Sequence, residues 1–180
     1  SKDMLYLKEN KGITLTALVV SIIVIMILAG ISITQGSNLI KTTKVENYVT
    51  NMITMRAKVK IYGEEINAET WDAENKSEKR AKLYEEKYAM TKSSNQTELE
   101  SKVDEKVNKG NGIECYNITK ETLKKMGLED ITQDMNDGDY VVAFDAGDYK
   151  NLDIIYTPGI EYEKVTYYTL SKLQEKVEEK

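Results

Sequence analysis

Residues 13–33 (ITLTALVVSIIVIMILAGISI) carry no charged side chain. Wound as an α-helix at 1.5 Å per residue, they span about 31 Å, enough to cross a bilayer core of roughly 30 Å. The run divides the 180-residue chain into a short charged leader over 1–12, an apolar helix over 13–35 and a polar body. Lys8 and Lys11 stand on the leader side. Lysines beside a membrane span favour the cytoplasmic face, which predicts an exported body. Lys41 and Lys44 on the far side weaken that bias.

Three readings compete for the run. A secretory signal peptide has a shorter apolar core and a small-residue cleavage site after it. Here the run is long and ends in GISITQGSN, a poor site. A plain single-pass anchor fits the length. An assembly helix fits the length and also the residues that precede it.

Those residues, Lys11, Gly12, Ile13, Thr14, Leu15, Thr16, Ala17, Leu18, Val19 and Val20, form an ordered pattern. A charged leader ends in Gly, an apolar residue follows, then Thr-Leu and an unbroken apolar stretch. The pattern resembles the prepilin cleavage motif of type IV pilins and pseudopilins, over the first third of the chain. The resemblance implies that a prepilin peptidase cuts between Gly12 and Ile13 and that the new amine of Ile13 is methylated. It also implies an assembly platform and a cytoplasmic ATPase as partners. The chain departs from the family at Ala17, where the family carries a Glu that pairs with the N-terminal amine of a neighbouring subunit. Without that carboxylate, association rests on apolar packing along Leu15, Leu18, Val20, Ile23, Val24 and Ile27. Hydroxyls of Thr14, Thr16 and Ser21 are available for bonds between helices, and Gly30 permits close approach.

Composition narrows the rest. A formal net charge of −5, with no long basic run, argues against a nucleic-acid partner, since a phosphate binder needs a basic face. There is no histidine, which removes a Ser-His-Asp triad, a Cys-His pair and a His-ligated metal. Cys115 stands alone, so no internal disulfide forms, and it reads as a small buried hydrophobe. No catalytic residue or cofactor is expected, and the chain does not read as an enzyme.

Beyond the apolar run, Tyr48, Met52, Met55, Val59 and Tyr62 step by four, three, four and three, one stripe of an amphipathic helix over 36–62. Gly36, like Gly30, is a weak helix residue and a candidate hinge. Residues 63–112 read as a charged helical region. Ala81, Tyr84 and Tyr88 mark one short helix; Thr97 to Glu100 read as a capping box opening another, continued by Leu99, Val103 and Val107. Trp71 is a candidate packing anchor, and Gly110-Asn111-Gly112 closes the region as a turn.

Residues 113–180 read as a β-rich head. A strand starts at Ile113, Thr119 caps a helix over 120–126, and Gly127 stops it. Residues 136–139 form a turn, and 140–144 with 152–157 form a hairpin. Leu170, Leu173 and Val177 mark a C-terminal helix. The expected class is α+β: a long N-terminal helix, half transmembrane and half amphipathic, on a small antiparallel sheet with short helices.

Asp134, Asp137 and Asp139, with Asp145 and Asp148, are the one acidic stretch with hard oxygen ligands for calcium, but EF-hand spacing is absent and solvated turn acids explain them as well. Sequons begin at Asn75, Asn95 and Asn117, at a frequency expected by chance in this composition. Twelve tyrosines against one Phe predict half-exposed sheet and subunit contacts, because a phenol keeps its tip in water. The functional expectation is a homopolymerising subunit of a type IV pilus-like or pseudopilus filament. It resides in the cytoplasmic membrane, with lipid around its helix, before assembly at the cell surface. The alternative is a monomeric membrane-anchored binding or signalling protein.

Overall fold

The stripe beginning at Tyr48 forms a helix, and it is longer than its pattern. A computed structural model describes residues 36–70, 74–133 and 135–178, with side chains from residue 44 onward. The chain divides into two units, Ser1–Lys44 and Val45–Lys180. Helix α1 spans Gly36–Ala68. Val45, Val49, Met52, Met55, Val59 and Ile66 are buried along its inner face. Each contributes about 1.5–3 kcal/mol on burial, so the apolar face, and not helix propensity, holds the element in place. The predicted end at Tyr62 is six residues short. Gly63 sits inside the helix, and Ile66 extends the buried stripe past it.

After α1 come α2 (Lys76–Tyr88), β1 (Met90–Lys92), α3 (Gln96–Glu100) and β2 (Ile113–Ile118). Then follow α4 (Lys120–Lys125), a 3-10 turn (Glu129–Thr132), β3 (Tyr140–Asp145), β4 (Asp148–Tyr162), β5 (Val165–Thr169) and α5 (Leu170–Glu178). The five strands make one sheet in the order β1-β2-β3-β4-β5, antiparallel throughout. The described body is therefore α+β, as expected.

Side chains alternate across the sheet with period two. Tyr116, Ile118, Tyr140, Val142, Phe144, Leu152 and Ile154 face the main core with α1, α2 and α5. Cys115, Val141, Ala143 and Ile155 face a second core with Leu99, Val107 and Ile113. Both faces are covered, which is why β3 is buried at every position.

Four expectations need correction. The region 63–112 is not all helix, since β1 lies within it and pairs with β2 from Met90↔Ile118 to Lys92↔Tyr116. Three residues are too few to show an alternating pattern. Thr97 does not cap α3: Asn95 is the N-cap, the helix ends at Glu100, and residues 101–107 are mostly turns. Leu99, Val103 and Val107 still reach one core, but through those turns and not along one helical face. The 140–157 hairpin closes through the short turn Ala146-Gly147, tighter than the seven-residue link expected, and β4 runs on to Tyr162 with a register shift between Ile155 and Ile160. Pro158 cannot donate to a ladder and Gly159 has φ 81°, so the irregularity sits where the sequence permits it. Finally, Tyr84, Tyr88, Tyr116, Tyr140, Tyr149 and Tyr162 are buried, so six of the eleven described tyrosines are core residues.

Elsewhere the local reading holds. Thr119 caps α4 with a reciprocal box involving Thr122, and Gly127 leaves it at φ 75°. Gly138 takes φ 94° in the 136–139 turn, where Asp139 N donates to Asn136 O. Cys115 is fully buried.

Candidate functional site

The residues assigned to processing and assembly, Gly12 to Gly30, lie outside the described residues, as do Trp71 and Asp134. No helix among the described residues is long and apolar enough to cross a membrane. The described residues hold helix α1 in a well-defined seat.

The grip has an apolar, an aromatic and a backbone part. The buried stripe of α1 packs on the main core. Six residues before its end, Tyr62 stacks on Tyr88 of α2, with ring centroids 3.8 Å apart and planes at 13°. The Tyr88 hydroxyl donates to the Glu65 carboxylate, and Lys87 Nζ meets the same oxygen at 2.7 Å. Those bonds from Lys87 and Tyr88 hold the Glu65 carboxyl below its ordinary range. At Gly63 the helix touches the backbone of β4. A Cβ there would overlap the Tyr149 carbonyl oxygen and lie 2.6 Å from the carbonyl carbon. Asn67 then clamps the β3–β4 turn: its Nδ2 donates to Asp148 Oδ1 at 2.8 Å, and Tyr149 N donates to its Oδ1 at 3.0 Å.

The outer side of α1 carries Ile53 and Ile61, 37% and 51% exposed, with Ala57 between them. Spaced by four, they share one face, flanked by Lys58, Lys60 and Glu64.

A second cluster lies under α2. Arg80 Nη2 donates to Glu114 Oε1 at 2.5 Å, and both residues are buried. Glu114 Oε2 also accepts from Tyr149 at 3.2 Å and from Tyr116 at 3.5 Å. The Arg80 guanidinium stands 5.0 Å above the Tyr149 ring. Burial first, then the Glu114 charge, pushes the Tyr116 and Tyr149 phenols upward, so both stay protonated near neutrality. Burial drives Cys115 up to about 12, which leaves a thiol and not a nucleophilic thiolate. The Arg80–Glu114 pair and the protonated phenols join α2 to β2 and β4, while Cys115 lies in the second core on the other face of the sheet. Sequence reading missed this cluster, because nothing local couples residues 34 apart.

The acids weighed for calcium serve the turns. Asp137 Oδ1 accepts from Lys120 N at 2.8 Å and Asp139 Oδ2 from Asn136 N at 2.7 Å. Asp145 accepts from Gly147 N and Asn151, and Asp148 from Lys150 N and Asn67. Among the described residues no group of acids or cysteine is arranged to hold a metal ion. The sequon asparagines Asn75 and Asn95 are exposed beside helix starts, while Asn117 lies within β2. No family model, curated protein or solved structure matches this chain.

Proposed function

We propose that the chain is a structural subunit of a type IV pilus-like or pseudopilus filament, polymerising through its apolar N-terminal helix. One observation carries the reading. The charge-free run 13–33, preceded by a leader ending at Gly12, is followed directly in sequence by a 33-residue helix gripped by an antiparallel sheet. A mere tether needs no such seat for the helix that follows it, whereas a polymer must hold each head to its own helix.

In this reading the subunit waits in the cytoplasmic membrane with residues 13–33 in lipid. A prepilin peptidase removes residues 1–12, and an assembly platform transfers the helix into a bundle of identical helices. The transfer exchanges lipid for neighbouring side chains, so little hydrophobic free energy changes hands and fit decides affinity. The reading is tested by isolating surface filaments and sequencing the subunit N-terminus. A chain starting at Ile13 is the expected result. Filaments with an intact leader would retire the processing step and keep the polymer. Membrane-bound monomers alone, with no filament under any condition of expression, would overturn the proposal.

A further inference from the structure

The link between the 101–107 turns and β2 holds the single Asn-Gly dipeptide of the sequence, Asn111-Gly112, with Gly110 on the other side. We propose that Asn111 is a site of spontaneous covalent modification, closing onto the backbone nitrogen of Gly112 to form a succinimide. In the step, the Gly112 nitrogen loses its proton and attacks Asn111 Cγ. The Cγ–Nδ2 bond breaks and ammonia leaves. Water then opens the imide at either carbonyl, leaving aspartate or isoaspartate at 111. No oxidant or enzyme is required.

The local geometry favours the attack. Asn111 and Gly112 are both exposed, and Gly110 and Gly112 both hold positive φ, 85° and 90°. Gly112 presents no side chain to the approaching Cγ, and around its α-carbon the nearest atom a methyl would meet is Ala146 Cβ at 3.9 Å. The Asn111 side chain rests on Gly147, where a Cβ would come 2.6 Å from Nδ2 and 2.9 Å from Cγ. Other asparagines are occupied or followed by bulk. The amides of Asn67, Asn117 and Asn151 donate to Asp148, Thr91 and Val107, and Asn136 precedes Asp137.

The product alters a working corner of the sheet. Ala146 N donates to Gly112 O at 2.9 Å, immediately before the Ile113↔Asp145 pairing that begins the β2–β3 ladder. Isoaspartate lengthens the main chain by one methylene at that point. Either product adds a carboxylate over Gly147, whose N–H is bound to the buried Asp145 carboxylate at 2.9 Å. Like charges at that corner oppose each other, so an ageing head loosens at this end of the ladder. The inference does not depend on filament assembly.

The test is to incubate the folded full-length chain at mildly alkaline pH and physiological temperature. Peptide mass mapping then follows amide loss, and a protein isoaspartyl methyltransferase labels the product. Asn111→Gln and a chemically unfolded sample run alongside. The expected result is loss of the Asn111 amide before that of any other described asparagine, with methyl labelling that N111Q abolishes. Retention of the Asn111 amide in the folded chain, while the unfolded chain loses it there, would show that the fold protects the site and would overturn the proposal. Earlier loss at another described asparagine would overturn it equally.

Discussion

Replacing Gly63 by alanine tests how tightly α1 is seated. On helix propensity alone the change favours folding by about 1 kcal/mol. The seat opposes it. The added methyl would overlap the Tyr149 carbonyl oxygen, with the carbonyl carbon at 2.6 Å and Lys150 N at 3.1 Å. All three are backbone atoms of a paired strand, so no side chain can rotate away. Overpacking of this kind costs about 1–3 kcal/mol. Relief by moving α1 outward stretches both Asn67 bonds, each worth about 1 kcal/mol. With both costs counted and the propensity gain subtracted, the net expectation is a loss of roughly 2–4 kcal/mol, opposite in sign to propensity. The assay is urea unfolding of the full chain in detergent, followed by near-UV circular dichroism of the buried tyrosines. Ala57→Gly, on the exposed face, is the comparator and should cost about 1 kcal/mol. A neutral or stabilising Gly63→Ala would refute the close backbone contact and the rigid coupling of helix to head with it.

Glu114→Ala leaves the Arg80 charge buried and should cost about 3–5 kcal/mol, while a double replacement, Arg80→Met with Glu114→Gln, should cost less than that single change; unfolding midpoints decide, and an additive double would refute the pairing. Asp153 is buried on β4 and accepts from Ile154 N, Ser171 N and Ser171 Oγ, tying down the start of α5. Burial raises its pKa above the ordinary value, more than those bonds lower it. The folded form thus binds its proton more tightly than the unfolded form, so this group's contribution is full below the unfolded value and is lost as pH rises through the folded one. Asp153→Asn should therefore flatten the stability curve above about pH 4; parallel curves for mutant and wild type would exclude the assignment.

How much of this was legible in sequence depends on how local each cause is. The Met52-Met55-Val59 stripe declared α1, because a helix buries one face and periodicity records which. Thr119 and Gly127 declared both ends of α4, because caps act within a turn. Gly63 has no such local cause, and only the Tyr149 carbonyl, 86 residues away, reveals it as a contact residue. The strand β5 escaped because its turn is built from Glu163 and Lys164 at φ 51° and 69°, not from the Asn-Gly pair that such turns favour. The tyrosines were misplaced because their hydroxyls were expected to need water. Glu114, a buried carboxylate, serves two of them instead. That substitution of an internal acceptor for solvent bears on the candidate site. It lets Tyr116 and Tyr149 pack with Tyr84 and Phe144 in the main core that α1 covers, and so gives the helix a floor. The polymer proposal needs such a floor. In that proposal the motif around Gly12 bears only on processing, whereas Gly63, Asn67 and the Tyr62–Tyr88 stack bear on how α1 from Val45 onward is seated on the sheet. A variant that loosens these three contacts while sparing residues 13–33 should still insert in the membrane yet fail to build ordered filaments. If it built them normally, the grip on α1 would be a feature of stability alone.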